Sequence, residues 1–458
     1  MKKDLSNNLK RFYGIGDLFF TMMTMVENFF FNFFLTNIAM YDLGIVTLIQ
    51  TVTTGVDAIL SWTYGAIMNS IKPLKWGRYR SWLILTPWLV PFIFMFKFIK
   101  IGSDGIAIAI IIAAGIVSSV LWNFPYVANV AMISAAAKTP NDRIALSTSR
   151  GTYNRVTSII FSYTGLPLAL LLGKFVGVNY QFAALAFILG VAMAISYFAH
   201  FKMFEGYEET ETKTSTNTTA VAKTKIGFVG TLKALVQNRP LLILLLADLA
   251  RWIVNFVVSA TAMYYFTYVL KNPGLMSTYL IVIGVAATLG AFTCKYVAKR
   301  FSARNTTILY FILMGALFVA AKMVQANFTF VIILLAIAQY LHGSIYSLMP
   351  VLFADTVIYD EWKSSNNSSG WIMGLSNVSL KVAVVLRGII LNSVLAFVGF
   401  SAAVDPAAAS DALMSGIGSA FLLIPGVILI AGGVLLGLGF NLTKEKIEGY
   451  SAEIASRS

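Results

Sequence analysis

Apolar stretches of about 20 residues, long enough to cross a membrane as helices, recur from one end of this chain to the other. Read on that length alone, about twelve spans emerge. They cover 11–38, 43–71, 81–99, 105–137, 150–176, 179–200, 240–270, 275–297, 305–324, 327–355, 369–400 and 415–440. Hydrophobic residues make up 58% of the chain and charged residues 12%, against about 25% charged in soluble domains. No water-soluble core hides that much apolar surface. The predicted fold class is an all-α integral membrane protein.

Composition also excludes chemistry. Cys294 is the single cysteine, so neither an intramolecular disulfide nor a multi-cysteine metal site is available. His200 and His342 are the only histidines and leave little for a zinc site, so no metal site and no cofactor are expected. The N-terminus MKKDLSNNLKRFYGIGD lacks a short apolar core with a small-residue cleavage site, and the first helix is expected to stay. The net charge of +14 does not point to nucleic acid. Its basic residues lie in short loops between apolar spans, where they set membrane topology.

The basic loops fall on one side of the membrane: Lys2, Lys3, Lys10 and Arg11, then KPLKWGRYR, KTPNDR, residues 201–239, KYVAKRFSARN and the tail. The other side holds only Lys97, Lys100, Lys174, Lys271 and Lys322. Both termini are therefore expected in the cytoplasm of a cell (plasma or inner) membrane protein. Residues 201–239 divide the chain. FEGYEETETKTSTNTTAVAKTK is polar and Thr-rich, a flexible linker, and KIGFVGTLKALVQNRP reads as a short amphipathic surface helix. The predicted organisation is an N-terminal six-helix bundle (1–200), a cytoplasmic linker (201–239), a C-terminal six-helix bundle (240–440) and a cytoplasmic tail (441–458). Two such halves in parallel repeat form the layout of major facilitator transporters.

Ionisable groups inside spans cost about 2.5–3.5 kcal/mol each on insertion scales and usually face a cavity or one another. Here they are Asp17, Glu27, Asp57, Arg150, Arg155, Asp248, Arg251, Lys381 and Arg387. Asp57 lies near the middle of the second span, where a carboxylate can coordinate a cation or accept a proton. Asp17 and Thr21 stand one turn apart on a face shared with Thr24. Glu27 reads as half of a gating ion pair, and Asp248 and Arg251, at i and i+3, as a pair that satisfies itself. Trp122, Asn123 and Tyr126 surround Pro125, which is expected to break its span, and offer a polar and aromatic platform suited to a sugar. In the loops GRYRSW, NDRIALSTSR and DTVIYDEWK, Arg78, Asp142, Arg143, Asp355, Glu361 and Lys363 form a candidate cytoplasmic gate. Exposed pairs of about 0–1 kcal/mol suit a contact that must open.

These motifs resemble the glycoside–pentoside–hexuronide:cation symporter family, the melibiose permease group of the major facilitator superfamily. The likeness runs from YGIGD (Tyr13–Asp17) through VDAILSWTYG, KWGRYRSW and NDRIALSTSR to ADTVIYDEWK…SNVSLK (Ala354–Lys381). The resemblance implies secondary transport of a small sugar by alternating access, as a monomer among membrane lipids. It implies that Asp57 takes the place of the first of two aspartates in the family's sodium site. Ser61 takes the place of the second, and Trp62 that of the proline after it. The two sugar-holding aspartates are matched by Thr21 and Asn123. Arg150, Lys381 with Ser376 and Asn377 nearby, and Tyr346 stand at the family's arginine, lysine and tryptophan positions. The loss of the second acid favours H+ over Na+ as coupling ion, or an uncoupled uniporter. Arg150 and Lys381 without the two sugar-binding acids admit an anionic sugar such as a hexuronide, set against internal pairing and a neutral glycoside. A lipid or lysolipid carrier of the same fold is the alternative. A membrane enzyme is disfavoured by the absence of a nucleophile–base motif.

Overall fold

The computed structural model describes residues 4–61, 63–70, 73–137, 140–207, 238–364, 369–401 and 403–457. Among them all regular structure is helical, apart from a lone bridge between Leu74 and Gly77. Most of the linker, including the expected surface helix, lies outside the described residues.

The helices are α1 (Asn7–Phe12), α2 (Ile15–Phe33), α3 (Leu43–Leu60), α4 (Thr63–Ser70), α5 (Trp82–Leu85), α6 (Val90–Phe96), α7 (Asp104–Ala136), α8 (Pro140–Val176) and α9 (Gln181–Met203). Past the linker come α10 (Arg239–Tyr264), α11 (Leu275–Phe301), α12 (Ala303–Met323), α13 (Phe328–Ser364), α14 (Ser369–Phe397), α15 (Asp411–Gly418), α16 (Ile424–Gly439) and α17 (Lys444–Arg457). Eleven described segments are long and apolar enough to cross a membrane. The expected span 81–99 is not among them. It forms two short helices, α5 and α6, separated at Thr86–Leu89. Pro87 lacks an N–H and disfavours helical geometry at the residue before it, so the chain turns there, with Leu89 N–H on the Thr86 carbonyl at 3.1 Å. Pro125 behaves differently. It stays inside the unbroken 33-residue α7, where one missing N–H is outweighed by the ladder on either side.

By contacts the chain forms two compact units. The first comprises Met1–Thr216, Pro273–Ile281 and Gly399–Asp405; the second comprises Asn217–Asn272, Val282–Val398 and Pro406–Ser458. A repeat links their sequences. Helix α2 runs into a π turn, Phe34–Ile38, followed by Met40 at φ 56°. Helix α10 runs into a π turn, Tyr265–Val269, followed by Lys271 at φ 53°. The bonds match too. Ala39 N–H reaches Phe34 O and Tyr41 N–H reaches Leu35 O; Leu270 N–H reaches Tyr265 O and Asn272 N–H reaches Phe266 O. The sequence offset that brings Met40 onto Lys271 also brings Asp17 onto Asp248 and Arg150 onto Lys381.

In the first unit, α2 packs against α8 and α9, and α3 against α7. Its entry is tied down. Ser6 caps α1 by accepting from Leu9 N–H at 3.2 Å, and the Tyr207 hydroxyl donates to Asp4 O at 2.8 Å. In the second unit, α10 packs on α14 and α16, and α12 on α13 and α16. Helices α11 and α13 meet backbone to backbone: a Cβ at Gly290 would strike the Tyr340 carbonyl, and one at Gly343 the Ala287 carbonyl. Small residues permit such approach between membrane helices. Helix α17 lies on the end of α13, where Trp362 stacks on Tyr450 at 4.3 Å and its indole N–H donates to Glu453 at 2.6 Å.

Candidate functional site

Asp17 on α2 is 1% exposed, and a carboxylate taken that far from water needs charge and hydrogen-bond partners. Arg150 on α8 supplies both. Its Nε donates to Oδ2 and its Nη2 to Oδ1, each at 2.7 Å, a two-pronged grip across 133 residues of sequence. Such forked pairing adds geometry to charge attraction. Asn129 of α7 adds a bond from Nδ2 to Asp17 at 3.3 Å. Its Oδ1 meets His200 Nδ1 at 3.0 Å, and its carbonyl accepts from Tyr13. His200 Nε2 meets the Phe12 carbonyl at 3.2 Å, and the ring stacks on Tyr13. Gly16 is part of this arrangement, because a side chain there would meet the His200 ring.

Above this pair sits an aromatic wall. The Arg150 guanidinium lies 5.7 Å from the Tyr126 ring, and Phe20 stacks on Tyr126 at 4.3 Å. Thr21 donates to Asn154 Oδ1 at 3.0 Å. So Asp17, Tyr126 and Arg150 come together as one group, with Thr21 one turn further along α2.

Asp57 belongs to a second group. Its carboxylate accepts from the Ser119 hydroxyl and from Asn123 Nδ2 at 3.1 Å, both on α7. Asn123 also donates to the Ser119 carbonyl at 2.8 Å. Asn123, expected at the sugar, is bonded here to the Asp57 carboxylate. Ser61 closes the end of α3 and donates to the Ala58 carbonyl at 2.7 Å. A hydroxyl near a helix end finds such a carbonyl readily.

Glu27 pairs with Lys97 at 2.8 Å. Lys97, read from the sequence as a loop cation, is 2% exposed and lies 4.3 Å over the Phe31 ring. A flexible stem lets lysine reach inward from a span's end.

In the second unit, Arg251 donates to a single oxygen of Asp248, from Nε at 2.9 Å and Nη2 at 2.6 Å. The guanidinium lies 4.3 Å over the Trp252 ring and 5.5 Å from the Tyr346 ring. Tyr346 is exposed, Asn377 is exposed and Lys381 is half-buried. Ser376 shows only its backbone, on α14.

The gate residues are spread over loops and helix ends. Asp142 pairs with Lys10 at 3.3 Å; the Arg143 side chain lies outside the described set. Arg78 is half-buried, as are Asp355 and Glu361 on α13. Lys363 Nζ lies 5.8 Å over the Tyr359 ring. Asp360 accepts from Asn238 at 3.3 Å.

Sequence reasoning passed over Ser119, Asn129, His200, Tyr13 and Asn154. The polar spacing Ser119–Asn123 on α7 was the visible signal for the first; Asn129 and His200 are lone polar residues in apolar runs, and Tyr13 and Asn154 lie in polar stretches where nothing local sets them apart.

The MFS/sugar transport protein family model matches residues 12–444. The chain belongs to that family. The glycoside–pentoside–hexuronide resemblance agrees with its relatives. It is 24% identical over 394 residues to the isoprimeverose transporter of Lactiplantibacillus pentosus, covering 85% of this chain and 80% of the relative. It is 24% identical to the glucuronide carrier protein homolog of Escherichia coli, covering 97% and 94%, and 23% identical to the putative sulfoquinovose importer of Salmonella typhimurium, covering 99% and 93%. Among solved structures, a D-xylose-proton symporter superposes with TM-score 0.62 at 12% identity, covering 95% and 98%. The nucleoside transporter NupG gives 0.62 at 10%, covering 93% and 100%. These two show the fold alone; by its family and relatives the chain is a multi-pass membrane transporter of sugars, not an enzyme.

Proposed function

We propose that this family member moves a sugar or glycoside across the cell membrane by alternating access, coupled to a proton through Asp57. The observation that carries it is the Asp57 group. Two neutral donors of α7 hold the carboxylate, and the neighbouring serine, where the family has a second acid, bonds its own backbone. With a serine in place of the second acid, the group offers one carboxylate where the family has two. Sodium would call for several oxygen ligands around a stronger negative charge. The basic loops support a cytoplasmic position for both termini, and the chain is proposed to act as a monomer needing no cofactor beyond the coupling ion.

The test is uptake into vesicles from a panel of glycosides, pentosides and hexuronides. An inward proton gradient should drive accumulation, a sodium gradient should add nothing, and Asp57→Asn should abolish accumulation while leaving exchange. Sodium-driven accumulation lost in Asp57→Asn would overturn the coupling; indifference to both gradients would mean a uniporter.

A second reading, an anionic sugar, draws on relatives named for glucuronide and sulfoquinovose and on Lys381. Against it, Arg150 and Arg251 are both already engaged by aspartates. Competition by glucuronides stronger than by the matching neutral glycosides would favour it.

A further inference from the structure

The second unit holds buried polar atoms without a hydrogen-bond partner, and two of them belong to residues beside Tyr346. Arg251 is 4% exposed, yet its Nη1 bonds nothing, and neither does His342 Nε2. Buried polar atoms left unmatched cost about 1–3 kcal/mol each, and native structures keep few of them without a use. His342 and Tyr346 stand one turn apart on α13, so their side chains share a face. The Arg251 guanidinium lies 5.5 Å from the Tyr346 ring. Trp252 supports the guanidinium from below and meets Tyr346 edge-on at 6.4 Å.

We propose that Arg251, Trp252, His342 and Tyr346 form a sugar subsite in the second unit that reads one hydroxyl of a neutral pyranose or furanose ring. Arg251 Nη1 can only donate, and the proposal places the proton of the His342 ring on Nδ1, which leaves Nε2 to accept. A single hydroxyl accepts from the first and donates to the second. A carboxylate, acceptor only, satisfies one and leaves the other bare. The exposed Tyr346 ring and the Trp252 indole supply flat faces for the C–H side of a sugar. The internal repeat supports the location, because it sets Trp252 at the position of Thr21 and Asp248 at that of Asp17.

The assignment rests on the sugar-transport reading, and the test separates the two. Purified protein is titrated with methyl β-xyloside, methyl β-glucoside, methyl α-galactoside and methyl β-glucuronide, then with the monodeoxy analogues of the tightest neutral binder. In the wild type one monodeoxy analogue should bind at least tenfold more weakly than its parent. In His342→Leu the parent should lose at least tenfold and the parent-to-deoxy difference should vanish, with His342→Gln restoring most of it. Because His342 is internal, Tyr346→Leu, at an exposed position, gives a second route and should weaken the neutral glycoside at least fivefold. Unchanged parent affinity in folded His342→Leu and Tyr346→Leu overturns the subsite and leaves sugar transport standing. Tighter binding of the glucuronide than of the glucoside, indifferent to His342→Leu, overturns the hydroxyl assignment. If no probe binds the wild type, the sugar reading fails and the subsite with it.

Discussion

Asp17–Arg150 and Asp248–Arg251 share a repeat position for their acid and almost nothing else. The first pair joins two helices, engages both carboxylate oxygens and is backed by Asn129 and His200. The second lies within one helix, puts both its bonds on one oxygen and leaves Arg251 Nη1 without a partner. Equal composition therefore gives a finished joint in one unit and an open donor in the other. Charge balance alone does not distinguish a structural pair from a binding group; the count of satisfied atoms does.

The sharpest way to break this contrast is Asp17→Asn. The amide keeps at most one of the two arginine bonds and leaves a half-buried guanidinium without its counter-charge, so the loss should be about 3–5 kcal/mol, read as thermal unfolding of the detergent-solubilised protein. Asp248→Asn should be milder, about 3 kcal/mol, the low end for a buried pair: Arg251 loses its counter-charge, but the Asn Oδ1 can still accept both arginine bonds. A loss equal to that of Asp17→Asn would end the distinction. Asn129→Ala removes the amide joining Asp17 to His200. It should cost about 1–3 kcal/mol, the penalty for unmatched buried groups. Lys10→Ala, which breaks the partly exposed pair with Asp142, should fall within about 0–1 kcal/mol and serves as the baseline.

Proximity along the chain decided what the sequence revealed. Asp248 and Arg251 are one turn apart, so their pairing follows from helix geometry. Asp17 and Thr21 could likewise be placed on one face. Arg150 was visible as a charge within its span but was tied to the site only through family resemblance, and Asn129 and His200 were not tied to it at all, since the bonds that unite them with Asp17 cross more than a hundred residues. Asn123 was found but given to the sugar, because nothing local shows that α7 turns it toward Asp57. Apolar length located the spans well. It missed the break at Pro87 because hydropathy scores side chains, while the break comes from a missing backbone donor.

That break bears on biogenesis. Neither α5 nor α6 is long enough to enter a bilayer as an independent signal, and the segment ends in Lys97, whose charge is sheltered only once Glu27 is present. The translocation machinery must therefore hold this stretch until α2 and α7 are beside it. The first unit would then be inserted as a cluster, and a nascent chain stalled before α7 should leave residues 82–97 open to cytosolic protease.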